Sequence, residues 1–224
     1  MQPVGFIESP FQEKLLIPRQ PGLAPAVESC LRFESDYAMP VAARGLEEYS
    51  HVWLLWLSHA TAERGWSPTV RPPRLGGNQR VGVFASRSTH RPNPVALSVV
   101  ELIAVEPGML RLRGADLLDG TPVIDVKPYL PYADAIPNAK GGYAPEAPET
   151  LEVVFTEAAE TWLEQRSNAE LLRQQVTQLL QQDPRPGYRR NKPADDGRIY
   201  AARFSGVDLR WCVLNGVVQV LEPA

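Results

Sequence analysis

The sequence predicts a mainly β protein, with a barrel or sandwich in its first part and a small α+β domain after it. Three observations carry this. Pro and Gly, 22 and 16 of 224 residues, recur through the first part of the chain and cut it into short segments. Those segments are rich in β-branched and aromatic residues, and no helical pattern of about 10–15 residues separates them, which argues against a doubly wound sheet. The long helical pattern comes only late, after the Pro-, Gly- and Ala-rich stretch "PNAKGGYAPEAPET". The division falls into domains 1–147 and 148–224.

In chain order, "VGFIES" reads as a first strand and "PVAARGLEEY" at 40–49 as a short helix. "YSHVWLLWLSHA" is a near-continuous apolar run that suits a buried strand, and a short core helix fits the periodicity as well. "RVGVFAS" follows as a strand. "VALSVVELIAVEPGMLRLRGADLL" reads as two strands joined at Glu106-Pro107-Gly108, and "TPVIDVKPYL" as one more. In the second domain, residues 155–183 read as two helices, the second starting at a capping box of Ser167 and Glu170. The closing segment reads as strands with an Asn215-Gly216 hairpin.

Composition narrows the function. A hydrophobic fraction of 44% is ordinary for a globular protein. No apolar run is long enough to span a membrane, and "MQPVGFIESP" lacks the order of a signal peptide, so a cytoplasmic location is expected. Two cysteines, Cys30 and Cys212, and three histidines suggest neither a disulfide framework nor a metal site. The net charge is −3, yet Arg71, Arg74, Arg80, Arg87 and Arg91 follow one another with no acid between them. "DPRPGYRRNK" at 183–192 adds Arg185, Arg189, Arg190 and Lys192. Local basic patches of this kind suit a polyanion better than net charge indicates, and arginine is suited to phosphate and to base stacking.

Phosphate-loop and G-x-G-x-x-G patterns are absent, and Ser86 and Ser88 lack the context of a nucleophile elbow. The segment "ASRSTHRPNPVALS" at 85–98 is stiff, because Pro92 and Pro94 fix their own φ and restrict Arg91 and Asn93 before them. It holds Arg87, His90, Arg91 and Asn93 beside a strand. His51 and His59 flank an apolar run and read as core or edge histidines, whereas His90 sits in a polar loop. Asp119-Gly120 has the chemistry of a turn.

"PRQPGL", "SHVWLLW", "RPPRLGGNQRVGVFASRSTHRPNPVALSVVEL", "DGTPVIDVKPYLPYAD" and "QDPRPGYR" together resemble the TrmO family, also called YaeB or TsaA-like, in its two-domain bacterial form. The resemblance spans nearly the whole chain. It implies a TsaA-like, non-Rossmann β-barrel and a homodimer. It also implies S-adenosyl-L-methionine-dependent methylation of N6 of threonylcarbamoyladenosine at position 37, in the anticodon stem-loop of tRNA. By resemblance the donor site is lined by Pro18, Arg19, Gln20, His51, Val52, Arg87, Leu97, Asp119, Gly120, Thr121 and Pro122. Asp125, Lys127 and Tyr129 of "DVKPY" are the candidates for positioning and proton handling, with a simple Asp125–Lys127 ion pair as the bland alternative. His90, Arg91, Asn93, Arg185, Tyr188, Arg189 and Arg190 are the candidates for tRNA contact. A non-catalytic RNA-binding protein on the same barrel is the alternative reading.

Overall fold

The computed structural model describes residues 1–76, 78–187 and 197–223. In chain order the strands are β1 Gly5–Glu8, β2 Glu28–Phe33, β3 His51–Leu57, β4 Thr69–Val70, β5 Val81–Gly82, β6 Val95–Glu106, β7 Met109–Arg113, β8 Pro122–Pro128, β9 Glu152–Phe155, β10 Tyr200–Phe204, β11 Val207–Leu214 and β12 Val217–Leu221. The α-helices are α1 His59–Ala62, α2 Pro131–Asp134, α3 Glu157–Glu164 and α4 Ala169–Leu180.

Six strands close an antiparallel barrel in the order β1-β2-β7-β6-β3-β8. Period-2 alternation sends Ile7, Leu31, Val52, Leu54, Val100, Leu110, Leu112 and Val123 into its interior. Closure leaves no bare edge for another chain to pair with. The turn between β6 and β7 is the expected one, with Glu106 opposite Met109 and Gly108 at φ 71°.

The second layer is a four-stranded sheet, β10-β11-β12-β9, in which β9 runs parallel to β12. The helices α3 and α4 place Ala159, Leu163, Leu172, Val176, Leu179 and Leu180 in the same core as the sheet's Trp211, Val213, Val218 and Val220. Asn215 and Gly216 both adopt positive φ, 51° and 79°, in the two-residue turn between β11 and β12, the geometry that matches strand twist.

Four local readings are corrected. "RVGVFAS" contributes only the two residues of β5, paired to β4, and then a 3-10 turn at Val83–Ala85. The sixth barrel strand is instead β2, whose outward Glu28 and Arg32 conceal its alternation; they pair with Arg111 and Arg113 and with Glu8 on the adjacent strands. Residues 40–49 form two 3-10 turns, Pro40–Ala43 and Leu46–Glu48, separated by Gly45 at φ 90°. Asn168, not Ser167, precedes α4, and its side chain makes no cap. Thr156 caps α3, its hydroxyl accepting from Ala159 N at 3.3 Å.

Between β1 and β2 the chain leaves the barrel as a strap, residues 9–27. Its Phe11, Leu16, Ala24 and Val27 are buried in the core of the C-terminal layer, beside Leu163, Val176, Leu179, Phe204 and Trp211. Phe11 bridges to Phe204, with ring centroids 5.6 Å apart. Two glutamines of α4, three residues apart and so on one face, clamp one residue of the strap: Gln178 Oε1 accepts from Ala26 N at 2.7 Å and Gln175 Nε2 donates to Ala26 O at 3.0 Å. The strap is also tied to the segment after β7, because Gly22 N donates to Gly114 O and Gly114 N to Val27 O, at 2.8 and 2.9 Å. Gly114 sits at φ +71°, and a Cβ there would lie 3.2 Å from Gly22 Cα. Gly114→Ala is therefore expected to cost about 1–2 kcal/mol from the left-handed backbone alone, read as a lower urea midpoint. An unchanged midpoint would show that the strap yields freely at this crossing.

Candidate active site

A cavity of about 500 Å³ opens where the strap, the start of α1, the loop at 86–91, the near ends of β3 and β6, and the connection from β7 to β8 converge. This volume is in the range of small-molecule sites. The strap contributes Lys14, Ile17, Pro18, Arg19 and Gln20. Its shape is fixed from behind by the apolar burial of Leu16 and in front by Lys14 Nζ, which donates to Ala60 O at 2.7 Å. Gln20 crosses to the loop at 86–91, its Oε1 accepting from Arg87 Nη1 at 2.5 Å.

Arg19 is half-buried, and among the described residues no group hydrogen-bonds its guanidinium. Burial draws its pKa below the usual arginine value, and Asp183 of the C-terminal layer acts in the opposite sense. A partly desolvated guanidinium in a cavity, with no hydrogen-bond partner among the described residues, is suited to bind an anion. The apolar wall comes from Trp56, Val95, Leu97 and Leu118, and Leu97 is 56% exposed at the rim.

The β7–β8 connection alternates like a strand. Ala115 and Leu117 enter the barrel core, so Asp116 and Leu118 turn to the cavity. Asp116 Oδ1 accepts from Ser98 Oγ at 2.6 Å, and Ser98 Oγ in turn accepts from Trp56 Nε1 at 3.1 Å. An indole N–H can only donate, so it occupies a lone pair of the hydroxyl and leaves the hydroxyl proton for Asp116. Burial pushes the Asp116 carboxyl above the ordinary aspartate range, against the opposing pull of the Ser98 hydroxyl, its own backbone N–H and the charge of Arg87.

Of the residues expected at the donor site, Pro18, Arg19, Gln20, Arg87, Leu97 and Thr121 meet at this cavity. Asp119, Gly120 and Pro122 adjoin Thr121 without lining it. Asp119 Oδ1 accepts from Ser9 N at 2.9 Å, which fixes the start of the strap, and Gly120 turns at φ 71°. His51 and Val52 lie elsewhere. They begin β3, whose other end reaches the cavity, and Val52 is sealed in the barrel interior. The histidine of the cavity is His59, with Ala60 and Thr61 beside it; its signal in the sequence is that it follows directly on the apolar strand.

Asp125, Lys127 and Tyr129 are not brought to the cavity. Lys127 Nζ pairs with Asp125 Oδ2 at 2.8 Å on an open face of β8, and Tyr129 packs near His51 at the far end. Arg91 lines the cavity, but its Nη1 donates to Val83 O and Ser86 O at 3.0 and 2.8 Å, bracing the loop from within. Its neighbour His90 donates its backbone N–H to Ser88 Oγ, and Asn93 is exposed. Arg185 is buried against Asp183, Nε to Oδ1 at 2.7 Å, so it anchors its loop and is not displayed for phosphate. Tyr188, Arg189 and Arg190 lie outside the described residues.

Residues 6–135 match the tRNA-methyltransferase O N-terminal domain model and residues 148–223 the TrmO C-terminal domain model. The chain belongs to the TrmO family. It is 45% identical to the Escherichia coli K12 tRNA (adenine(37)-N6)-methyltransferase, covering 98% of this chain and 96% of that protein. It is 46% identical to the Pseudomonas aeruginosa protein named "Putative S-adenosylmethionine-dependent methyltransferase RcsF", over 100% and 97% of the two chains. A crystal structure of TrmO from Pseudomonas aeruginosa superposes with a TM-score of 0.81 at 39% identity, covering 100% of this chain and 96% of that one.

The raised pKa of Asp116 has a consequence for stability. A carboxyl whose folded pKa exceeds its unfolded value contributes stability below the unfolded aspartate range and loses it as pH rises through the folded value. Asp116→Asn is accordingly expected to raise Tm at neutral pH relative to the native chain and to lose that advantage below about pH 4. A Tm difference independent of pH would contradict the burial of an ionisable Asp116.

Proposed function

We propose that this family member transfers the methyl group of S-adenosyl-L-methionine to N6 of adenosine 37 in the anticodon loop of tRNA, and that the adenosine already carries a threonylcarbamoyl group. The observation that carries this reading is the composition of the cavity. It unites a half-buried guanidinium that has no hydrogen-bond partner among the described residues, a recessed carboxyl and an aromatic and aliphatic wall. The donor bears a carboxylate and a purine, and these have counterparts in the guanidinium and the wall. Arg19, supported by Lys14, would hold the carboxylate. Trp56, Leu97 and Leu118 would pack the nucleoside, and Gln20 with Arg87 would close one side. When bound, S-adenosyl-L-methionine supplies an electrophilic methyl on a sulfonium.

The protein's contribution is arrangement. The acceptor nitrogen must stand about 3–3.5 Å from the methyl carbon and in line with it, and orientation of this kind supplies several kcal/mol. Pro18 and Pro21 limit the conformations of the strap, which lowers the entropy lost on binding. A carbamoylated adenosine adds a second carboxylate. Arg71, Arg74 and Arg80 are exposed on the segment leading to the cavity and would receive it or the tRNA backbone. The same reading includes a cytoplasmic homodimer, and Leu97 with Phe84, 77% exposed, would form part of its contact. Among the described residues no helix is long and apolar enough to cross a membrane.

Arg87→Ala is expected to weaken donor binding about fivefold by calorimetry, roughly 1 kcal/mol, which is below the usual range of a charge-assisted bond because Arg87 is exposed. Unchanged affinity would remove Arg87 from the site. Methyl transfer is expected with tRNA that carries threonylcarbamoyladenosine and not with unmodified tRNA. Equal transfer to both would refute the substrate assignment, and no donor binding at all would favour a protein that only binds RNA.

A further inference from the structure

We propose that Asp116 is the catalytic base that takes the proton from the acceptor nitrogen. The inference rests on the methyl-transfer reading above and names the group that completes it. The acceptor N6 carries one hydrogen, and its lone pair is delocalised into the purine and the carbamoyl group. A base is therefore needed as the new bond forms. In the balanced step Asp116 takes the hydrogen as a proton, the N–H electron pair stays on nitrogen, and nitrogen forms its bond to the methyl carbon. The carbon–sulfur bond breaks with its pair left on sulfur, giving a neutral thioether. The carboxylic acid then returns its proton to water.

The geometry that assigns this role is specific to Asp116. It is the carboxylate that lines the cavity, and the Trp56–Ser98 chain fixes the direction of the hydrogen bond it receives. One oxygen is thereby held as an acceptor while the side chain borders the space a ligand would fill. Ser98 is 1% exposed on β6 and Trp56 sits opposite Ala96 in the β3–β6 ladder, so the two groups that orient Asp116 are built on barrel strands, and Asp116 itself lies in the β7–β8 connection between the core residues Ala115 and Leu117. The charged and titratable groups that share the cavity are Arg87 and Arg91 from the loop, Lys14 and Arg19 from the strap and His59 from α1. Arg91 donates to backbone carbonyls and Lys14 to Ala60 O, and Arg87 is the charge that favours the ionised carboxyl. The burial that raises the pKa brings the group toward the operating pH, where a base works best.

The test compares Asp116→Asn and Ser98→Ala with the native chain by single-turnover methyl transfer at saturating donor and modified tRNA, across pH, with donor affinity measured separately by calorimetry. Asparagine keeps the shape and the acceptor for Ser98. The expected result is a rate at least about 100-fold lower for Asp116→Asn, with donor affinity within about threefold, well under one charge-assisted bond. Ser98→Ala removes a bond that favours the ionised form, so the acid limb of its pH–rate profile is expected at higher pH with the alkaline plateau kept. A purely structural role for Ser98 would lower the plateau and leave the limb in place. Retained transfer in Asp116→Asn overturns the proposal. So does a loss of donor affinity that accounts for the whole rate defect, which would make Asp116 an anchor for the donor's positive charge. Absence of donor binding in the native chain would instead bring down the cofactor reading, and this proposal with it.

Discussion

The burial of the strap in the C-terminal core is the constraint on which the rest of the molecule depends. A segment that begins and ends in barrel strands places Phe11, Leu16, Ala24 and Val27 among the side chains of α3, α4, β10 and β11. Phe11, Leu16 and Val27 each contribute on the order of 1.5–3 kcal/mol when removed from water, so the second layer holds the strap through several independent anchors. The residues between those anchors, Ile17 to Gln20, face the cavity. The C-terminal layer thus builds one wall of a site that it does not itself line, acting through packing and through the two glutamines on Ala26.

A second contact joins the same two parts. Gly187 lies against Pro73, where a Cβ would come within 3.1 Å of the Pro73 backbone, and Asp183, paired with Arg185, lies near enough to Arg19 to oppose the lowering of its pKa. The buried Asp183–Arg185 pair is weak evidence of stability by itself. Its position gives it another use, since it sets the field at the half-buried guanidinium and fixes the chain just before residues 188–192, with their further basic side chains.

Much of the barrel was legible because its strands obey period-2 burial and its β6–β7 turn uses the expected Pro107-Gly108, and in the second sheet Asn215-Gly216 marks the β11–β12 turn as plainly. β2 was not, since Glu28 and Arg32 make its outer face look like a loop until their cross-strand partners are known. The site was half legible. Pro18, Arg19, Gln20, Arg87 and Leu97 came from motif resemblance, and the structure brings them together. His51 was preferred to His59 although only the strand's other end meets the cavity, a choice the sequence could not settle without knowing strand direction. Asp116 was hidden by its neighbours: in "GADLLDG" the turn residues Asp119 and Gly120 attract attention, and only the alternation of Ala115 and Leu117 into the core shows that Asp116 points the other way. The strap was invisible, because nothing local in residues 9–27 says that their apolar side chains belong to a core more than a hundred residues away.

The C-terminal layer sets one wall of the cavity through the strap. The most direct measurement is donor affinity, by calorimetry, in the double variant Gln175→Ala with Gln178→Ala. Neither residue lines the cavity, and together they release Ala26. Two lost hydrogen bonds of about 1 kcal/mol each are predicted to weaken donor binding several-fold and to speed amide exchange in the strap while barrel amides stay protected. Native donor affinity with a loosened strap would contradict the claim and leave the C-terminal layer without a part in the site.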